Sequence, residues 1–245
     1  MKVSVITVCY NAKDTIGDTI ASVLAQQGVD CEYIVVDGGS TDGTVEILKA
    51  RGVRYVSERD EGMYDALNKG IALATGDVVG ILNSDDAFED ETTLAQIAAG
   101  FADDVDAVYA DIRFERNGKT ARYYSAQHWK LWMHNYGYMP PHPSVYIRRA
   151  LFDKLGPYKL GYRISADFEL MVRYFCRNRI RTRYLPRCVV RMRLGGMSTA
   201  GWRANVLLNR ENVRANRENG YFCCFPMMLP KYAYKILGYV FKRKR

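Results

Sequence analysis

The stretch DVVGILNSDD, Asp77–Asp86, joins an apolar run to four polar residues in succession. Val78, Val79, Ile81 and Leu82 read as a strand, and Asn83-Ser84-Asp85-Asp86 as its end. Asn, Ser and Asp are the commonest turn residues, so the cluster taken alone reads as turn punctuation. Two adjacent carboxylates nevertheless repel unless a cation or hydrogen bonds offset them. Mg²⁺ and Mn²⁺ prefer oxygen ligands, and usually take one or two carboxylates with substrate phosphates in other positions. Asp-Asp at a strand end suits that role.

Three similar runs precede it. VSVITVCY (3–10), EYIVVD (32–37) and VRYVSE (53–58) are strand-like, and each is followed by a helix-sized segment. Residues 15–26 place Ile16, Ile20, Val23 and Leu24 on one helical face, a helix follows at about 42–50, and Leu67, Ile71 and Ala74 repeat the spacing within 64–76. This alternation predicts right-handed βαβ units and an α/β fold with a Rossmann-like, mostly parallel central sheet and flanking helices. Ligands of such sheets bind beyond the carboxyl ends of the strands. The polar ends Thr7–Asn11, Asp37–Thr41, Ser57–Asp60 and Asn83–Asp86 are therefore expected along one rim, as a candidate pocket. After Asp37, GGSTDGT is a Gly-rich turn into a helix, with Ser40, Thr41 or Asp42 as N-cap. No G-x-G-x-x-G is present, so a dinucleotide fingerprint is not supported.

The pattern changes near residue 107. AVYADIRFE and TARYYS flank Asn117-Gly118, a hairpin signal. An aromatic, Pro-rich loop leads to a strand at Val145–Arg148, a helix is predicted at about 166–177, and 182–196 is strand-like on either side of Pro186. Charge divides in the same way. Residues 1–125 hold 11 Lys and Arg against 22 Asp and Glu, net −11, whereas residues 126–245 hold 24 against 5, net +19. An acidic half suited to cations is joined to a basic half suited to anions. The six cysteines form no CxxC pair, and with no signal peptide before the first strand they are expected as reduced cytosolic thiols.

Four segments, in order, resemble family 2 glycosyltransferases of GT-A fold: VITVCYNAKDTIGDTIASVLAQQ, EYIVVDGGSTDGT, SERDEGMYDALNKGIALATGDVVGILNSDD and SADFELMVR. The resemblance covers about residues 1–200 and implies a nucleotide-sugar half (about 1–106) and an acceptor half (about 107–200). It implies that Thr7, Tyr10 and Asn11 line the nucleotide pocket and that Asp37 accepts hydrogen bonds from the base. Arg59, within Ser57–Asp60, would flank the nucleotide, and Asn68 and Lys69 would face the same cleft. Asp85 and Asp86 occupy the family's Asp-x-Asp slot, Asp86 as the direct ligand of Mn²⁺ or Mg²⁺ and Asp85 on ribose or sugar. Asp167 matches the general base of inverting members. Glu169, two residues on and so on a different helix face, would orient that base or contact acceptor. His142, held in a stiff Pro-rich loop, would face the acceptor side, and 193–199 resembles a segment that closes near the diphosphate.

Residues 201–245 are expected to form a basic, helical extension. Arg203, Arg210, Arg214 and Arg217 fall within roughly a 60° arc of one helical face. The last stretch, PKYAYKILGYVFKRKR, sets Lys231, Lys235 and Lys242 on one face and aromatic and aliphatic residues on the rest. That is the pattern of an interfacial helix on an anionic membrane. No recognised nucleic-acid module accompanies the charge. The expectation is thus a cytoplasmic, membrane-peripheral enzyme acting on a nucleotide-sugar donor, a UDP-sugar by preference. Its acceptor would be a saccharide or lipid-linked saccharide in polysaccharide assembly. A sugar nucleotidyltransferase could share the sheet, but would carry a Gly-rich, Arg-containing phosphate loop where this chain has TVCYNAKDTIG. A non-catalytic membrane or nucleic-acid binder would not need Asp37, Asp85-Asp86 and Asp167 together.

Overall fold

The computed structural model of the chain describes residues 1–101, 104–116, 118–193 and 202–232. Its first part alternates as expected: β1 (Lys2–Cys9), α1 (Ile16–Leu24), β2 (Asp30–Asp37), α2 (Thr44–Ala50), β3 (Arg54–Ser57), α3 (Met63–Leu73) and β4 (Val78–Ile81). These four strands pair in parallel in the order β3-β2-β1-β4. The chain runs outward from β1 to β3, then returns to the other side of β1, which makes a topological switch point.

Both faces of this sheet are buried, so its strands are apolar without alternation. Ile6, Val8, Ile34, Val36, Val79 and Ile81 pack on one face with Leu67 and Ile71 of α3. Val3, Val5, Val35 and Val78 pack on the other with Ile16, Ile20 and Val23 of α1 and Leu48 of α2. Gly80 marks a close approach: a Cβ there would lie 2.1 Å from the fully buried ring of Tyr146.

Beyond β4 come β5 (Ala87–Phe88), α4 (Thr93–Ala99), β6 (Ala107–Arg116), β7 (Lys119–Tyr124), β8 (Tyr146–Arg148), α5 (Ala150–Leu155), α6 (Ala166–Met171) and β9 (Thr182–Arg193). They extend the sheet in the order β4-β8-β6-β9-β5, with β7 hairpinned onto β6. The antiparallel pairings belong to this half, while the long β6–β9 ladder is parallel, so most of the sheet is parallel. β9 runs straight through Pro186, with its register to β6 shifting around Asp111. That is the bulge a ring without an N–H requires. The helix predicted at 166–177 starts as α6 and widens into a π-helical turn, Val172–Arg177.

The last described helix, α7 (Trp202–Glu218), turns a polar stripe inward: Asn209, Glu211, Asn212 and Asn216 are buried along with Ala215. Asn216 bonds to buried His134, and Glu211 caps the start of α6. The arginine face is partly spent within the chain. Arg214 pairs with Glu218 at 2.6 Å and lies 4.3 Å over the Tyr162 ring, and Arg217 donates to the Cys223 carbonyl at 2.9 Å. Among the described residues no helix is long and apolar enough to cross a membrane.

Candidate active site

β1, β2 and β3 end level, because Asp37 pairs in register with Cys9 on one side and Ser57 on the other. Asp37 is fully buried there. It accepts from the Ser57 hydroxyl at 2.7 Å, the Ser40 N–H at 3.0 Å, the Gly39 N–H at 3.1 Å, the Cys9 thiol at 3.6 Å and, in a short bond, the Ser40 hydroxyl. Burial would raise this carboxyl, but the bonds from Ser40 and Ser57 outweigh it and hold it below the usual carboxylate range. Gly39 sits at φ 83°, where a side chain would be strained. Asn11, at φ 50°, ties the neighbouring loop in. Its N–H donates to Ser40 Oγ at 2.8 Å, and its Oδ1 accepts from Thr41 at 3.0 Å. The carboxylate's lone pairs are thus engaged by its own loop and by the ends of β1 and β3, and a nucleobase reaching Asp37 must displace Ser40 or Ser57.

The Asn83–Asp86 turn lies at the end of the neighbouring strand. Its closing bond runs from the Asp86 N–H to the Asn83 carbonyl at 3.1 Å, and Thr19 of α1 donates to the Asp86 carbonyl at 2.7 Å. Asp86 is 1% exposed. Its Oδ2 accepts from Asn83 at 2.8 Å, the Arg193 backbone N–H also favours the ionised carboxylate, and among the described residues Oδ1 has no hydrogen-bond partner at normal geometry. Burial, reinforced by the neighbouring Asp85 charge, pushes the Asp86 carboxyl up to about 8, and burial raises Asp85 as well. A buried carboxylate oxygen with no donor, beside a second carboxyl, is a group that a divalent cation would complete. The turn fits such an ion, offering oxygen ligands next to a cavity of about 300 Å³ that Asp18, Arg191 and Arg193 also line. Among the described residues no group of three or more His, Cys, Asp or Glu could hold a metal. Two carboxylates would therefore leave coordination positions for phosphate and water.

Asp167 stands in the first turn of α6, apart from that turn. Its Oδ1 accepts from the Phe168 N–H at 2.8 Å and from the Tyr64 hydroxyl at 3.4 Å. Burial raises its carboxyl above the usual range, against the pull of His142 and the Phe168 N–H. His142 Nε2 lies 2.6 Å from the Tyr158 hydroxyl, and burial lowers its imidazole against the pull of Asp167. The Tyr158 ring stacks on Tyr64 at 5.7 Å and meets His142 edge-on at 5.8 Å. A carboxylate made more basic by burial can take a proton from a hydroxyl. Residues 61–65, Tyr64 among them, and 160–163 line a cavity of about 290 Å³.

The remaining expected residues divide. Tyr10 and Arg59 are exposed on the rim. Lys69 is held there by Glu58 at 2.9 Å and Asp65 at 3.4 Å. Three others are engaged elsewhere. Thr7 is fully buried on the α1 face of the sheet, donating to the Leu82 carbonyl at 2.8 Å, so it lines no pocket. Asn68 spends its amide on the backbone of Tyr158, accepting from the N–H and donating to the carbonyl, both at 2.9 Å. Glu169 is fully buried, bonded to Arg173, Asn219 and Lys159, and cannot touch an acceptor. Tyr64 and Tyr158 are site residues that sequence reasoning passed over. Tyr64 lies one turn before Asn68 on α3, the signal that could have found it. Residues 194–199 and the tail beyond 232 lie outside the described residues.

Residues 4–166 match the family model described as Glycosyl transferase family 2. Over 221 residues the chain is 32% identical to the PGL/p-HBAD biosynthesis glycosyltransferase of Mycobacterium tuberculosis (strain ATCC 25177 / H37Ra), covering 86% of this chain and 82% of that protein. S. aureus TarS 1–349 in complex with UDP-GlcNAc superposes with a TM-score of 0.68 at 17% identity, over 100% of this chain and 76% of that one. The mannosyltransferase PcManGT from Pyrobaculum calidifontis, in complex with GDP-Man and Mn²⁺, superposes at 0.66 and 18% identity, over 99% and 76%. At these identities the two structures share the fold, and that fold is GT-A.

Proposed function

The chain belongs to glycosyl transferase family 2, and from that premise we propose that it moves a sugar, with inversion, from a nucleotide-diphosphate donor to a saccharide or lipid-linked saccharide. The observation that carries this reading is the division of the site into two carboxylate centres. Asp85-Asp86 has a buried oxygen lacking a partner, and Asp167 stands apart among His142, Tyr64 and Tyr158.

Asp86, with Asp85 beside it, would hold a divalent cation, Mn²⁺ or Mg²⁺. Bound there, it would supply positive charge against the diphosphate leaving group. Asp167 takes the proton of the acceptor hydroxyl as its oxygen attacks the anomeric carbon. The bond from that carbon to the diphosphate oxygen breaks on the opposite face, and one displacement inverts the centre. The Tyr64 hydroxyl holds that carboxylate, and Tyr158, stacked on Tyr64 and bonded to His142, backs it. Rim residues Tyr10, Asn11 and Arg59 would order the nucleotide.

A UDP-sugar is the favoured donor, supported by TarS having been crystallised with UDP-GlcNAc. A biosynthetic acceptor is supported by the name of the Mycobacterium relative. The basic segment after α7 would keep the enzyme at the inner face of the cell membrane, near lipid-linked acceptors in polysaccharide assembly. The test is a panel of nucleotide sugars with Mn²⁺, following nucleotide release with and without chelator. Release should require the metal and fall away in Asp86→Ala and Asp167→Asn. Metal-independent release, or full activity in both variants, would defeat the reading.

A further inference from the structure

Two segments far apart in the chain meet and leave large apolar side chains in solvent. One is the 3₁₀ turn Leu131–Tyr136, and the other runs from Tyr221 through the turn Phe225–Met228. The Cys223 thiol donates to the Asn135 carbonyl at 3.4 Å, and the Tyr221 ring lies 4.3 Å from that of His134. Gly137 lies so close that a Cβ on it would come within 2.8 Å of the Met228 sulfur. On this joint, Trp132 is 61% exposed, Phe222 80%, Leu229 52%, Leu131 41% and Phe225 39%. Monomeric proteins seldom leave so many adjoining apolar groups wet without a partner for them.

We infer that this surface docks the protein on an anionic lipid bilayer, with Trp132, Phe222 and Leu229 entering the boundary between headgroups and acyl chains. The charge around it decides the partner. Residues 126–152, 170–210 and 219–245 contain no Asp or Glu at all. Lys130, Arg177 and Arg179 are exposed beside the patch, the two arginines near enough to Tyr221 to act on its phenol. Aromatic side chains that protrude, set among cations with no acid between them, match the headgroup layer of an anionic membrane. A protein partner would instead need pockets shaped to receive them. The described chain ends at Tyr232 next to this joint, and the thirteen residues after it add five Lys or Arg and no acid. In sequence, that basic stretch follows the docking surface and is no part of it.

Its position relates to the chemistry. The Cys176 thiol donates to the Leu131 carbonyl at 3.6 Å, which fixes the patch to the far end of the helical segment that begins at α6. Asp167 is at the near end, nine residues or roughly 13 Å of helix away. A bilayer under the patch would present lipid-linked saccharides at about that distance from the base. In purpose, though not in its physical argument, the inference rests on the lipid-linked acceptor proposed above.

The test is flotation of the full chain with vesicles of phosphatidylglycerol and phosphatidylcholine in equal parts, and with phosphatidylcholine alone. The native chain should float with the anionic vesicles. Trp132→Ser combined with Phe222→Ser should weaken that binding at least about tenfold, since two buried aromatics are lost, while nucleotide release in solution stays unchanged. The conservative Trp132→Phe should still float but lose the part of tryptophan emission quenched by brominated lipid. Undiminished flotation of the double variant would show that the tail alone binds and would overturn the inference. So would unchanged quenching in Trp132→Phe, or a native dimer that the double variant dissociates. Flotation by a chain that turns over no donor would sink the enzymatic reading and leave the docking surface standing.

Discussion

The amide of Asn68 holds the backbone of Tyr158 from both sides, accepting its N–H and donating to its carbonyl, each at 2.9 Å. Tyr158 in turn bonds His142 at 2.6 Å and stacks on Tyr64, which reaches Asp167. Asn68 therefore acts, through a loop, on the cluster proposed to move the acceptor's proton. Asn68→Ala should lower kcat by about tenfold, from roughly 1–2 kcal/mol of lost hydrogen bonding, with the KM for donor unchanged. Asn68→Asp should be no better, because its carboxylate would face the Tyr158 carbonyl. Steady-state kinetics separate the roles: a raised donor KM with kcat intact would return Asn68 to the nucleotide.

Glu211 on α7 caps α6 from outside. Its carboxylate accepts the N–H groups of Arg163 at 2.8 Å and of Ile164 and Ser165 at 2.9 Å. These are donors at a helix start, and the negative charge also suits the helix dipole. Glu211→Gln would turn an NH₂ toward backbone N–H groups. It should cost about 2–3 kcal/mol in denaturant unfolding and lower kcat by loosening the turn that carries Asp167. An unfolding midpoint equal to the native one would show that the cap contributes nothing.

The parallel half of the fold was legible because burial on both faces makes β1, β2 and β4 apolar runs, and ligand-facing polar residues had to follow them. The same period bears on Thr7, which alternates onto the face of Val5 and Cys9 and so goes inside. β5 is two residues long and carries no periodic signal. α7 was misleading for a different reason. Asn209, Asn212 and Asn216 look like a wet face until His134, 82 residues before Asn216, supplies a partner. Glu169 is partly of the same kind: its i,i+4 pairing with Arg173 is local, but its burial also depends on Asn219, fifty residues on. Long-range polar pairing decides such positions, and no local pattern announces it.

The metal site proposed at Asp86 has a thermodynamic signature. Mn²⁺ with UDP should raise the unfolding temperature, by the equivalent of about 2.7 kcal/mol at a hundredfold excess over Kd. Asp86→Ala should abolish the Mn²⁺-dependent part. In chelator, Asp86→Asn should unfold at the native temperature or above it, because it removes a carboxyl whose ionised form burial and the Asp85 charge disfavour. Differential scanning calorimetry with and without EDTA reads both, and an intact Mn²⁺ shift in Asp86→Ala would rule the turn out as the ligand.

Asp167→Asn should cut turnover about 10²–10⁴-fold, the usual worth of a positioned base, and leave nucleotide binding intact. A general base works ionised, and burial raises the Asp167 carboxyl. Activity should therefore fall, as pH drops, at a value above the ordinary aspartate range. His142 opposes that rise, so His142→Gln should move the acid limb of the kcat profile to higher pH. A limb that moves down or stays fixed would separate His142 from the base.

Glu32 links the sheet to acid stability. At the start of β2 it accepts from the Ser4 hydroxyl at 2.6 Å, the Thr75 N–H at 2.7 Å, the Thr75 hydroxyl at 2.8 Å and Arg54 at 3.1 Å. Burial opposes ionisation here, but the bonds from Ser4 and Thr75, with the Lys2 charge, outweigh it and bring the carboxyl to about 2 from 4.5. A depressed pKa in the folded state means that the unfolded chain binds the proton more readily. The stabilisation is complete above about pH 4.5, declines as pH falls, and is lost near pH 2. Its size is about 3 kcal/mol at neutral pH, from 1.36 kcal/mol per unit. Glu32→Gln should therefore be less stable than the native chain at pH 7, with the gap closing between pH 4.5 and 2. Urea unfolding at a series of pH values measures it: two curves that stay parallel through this window would mean that Glu32 holds no special charge.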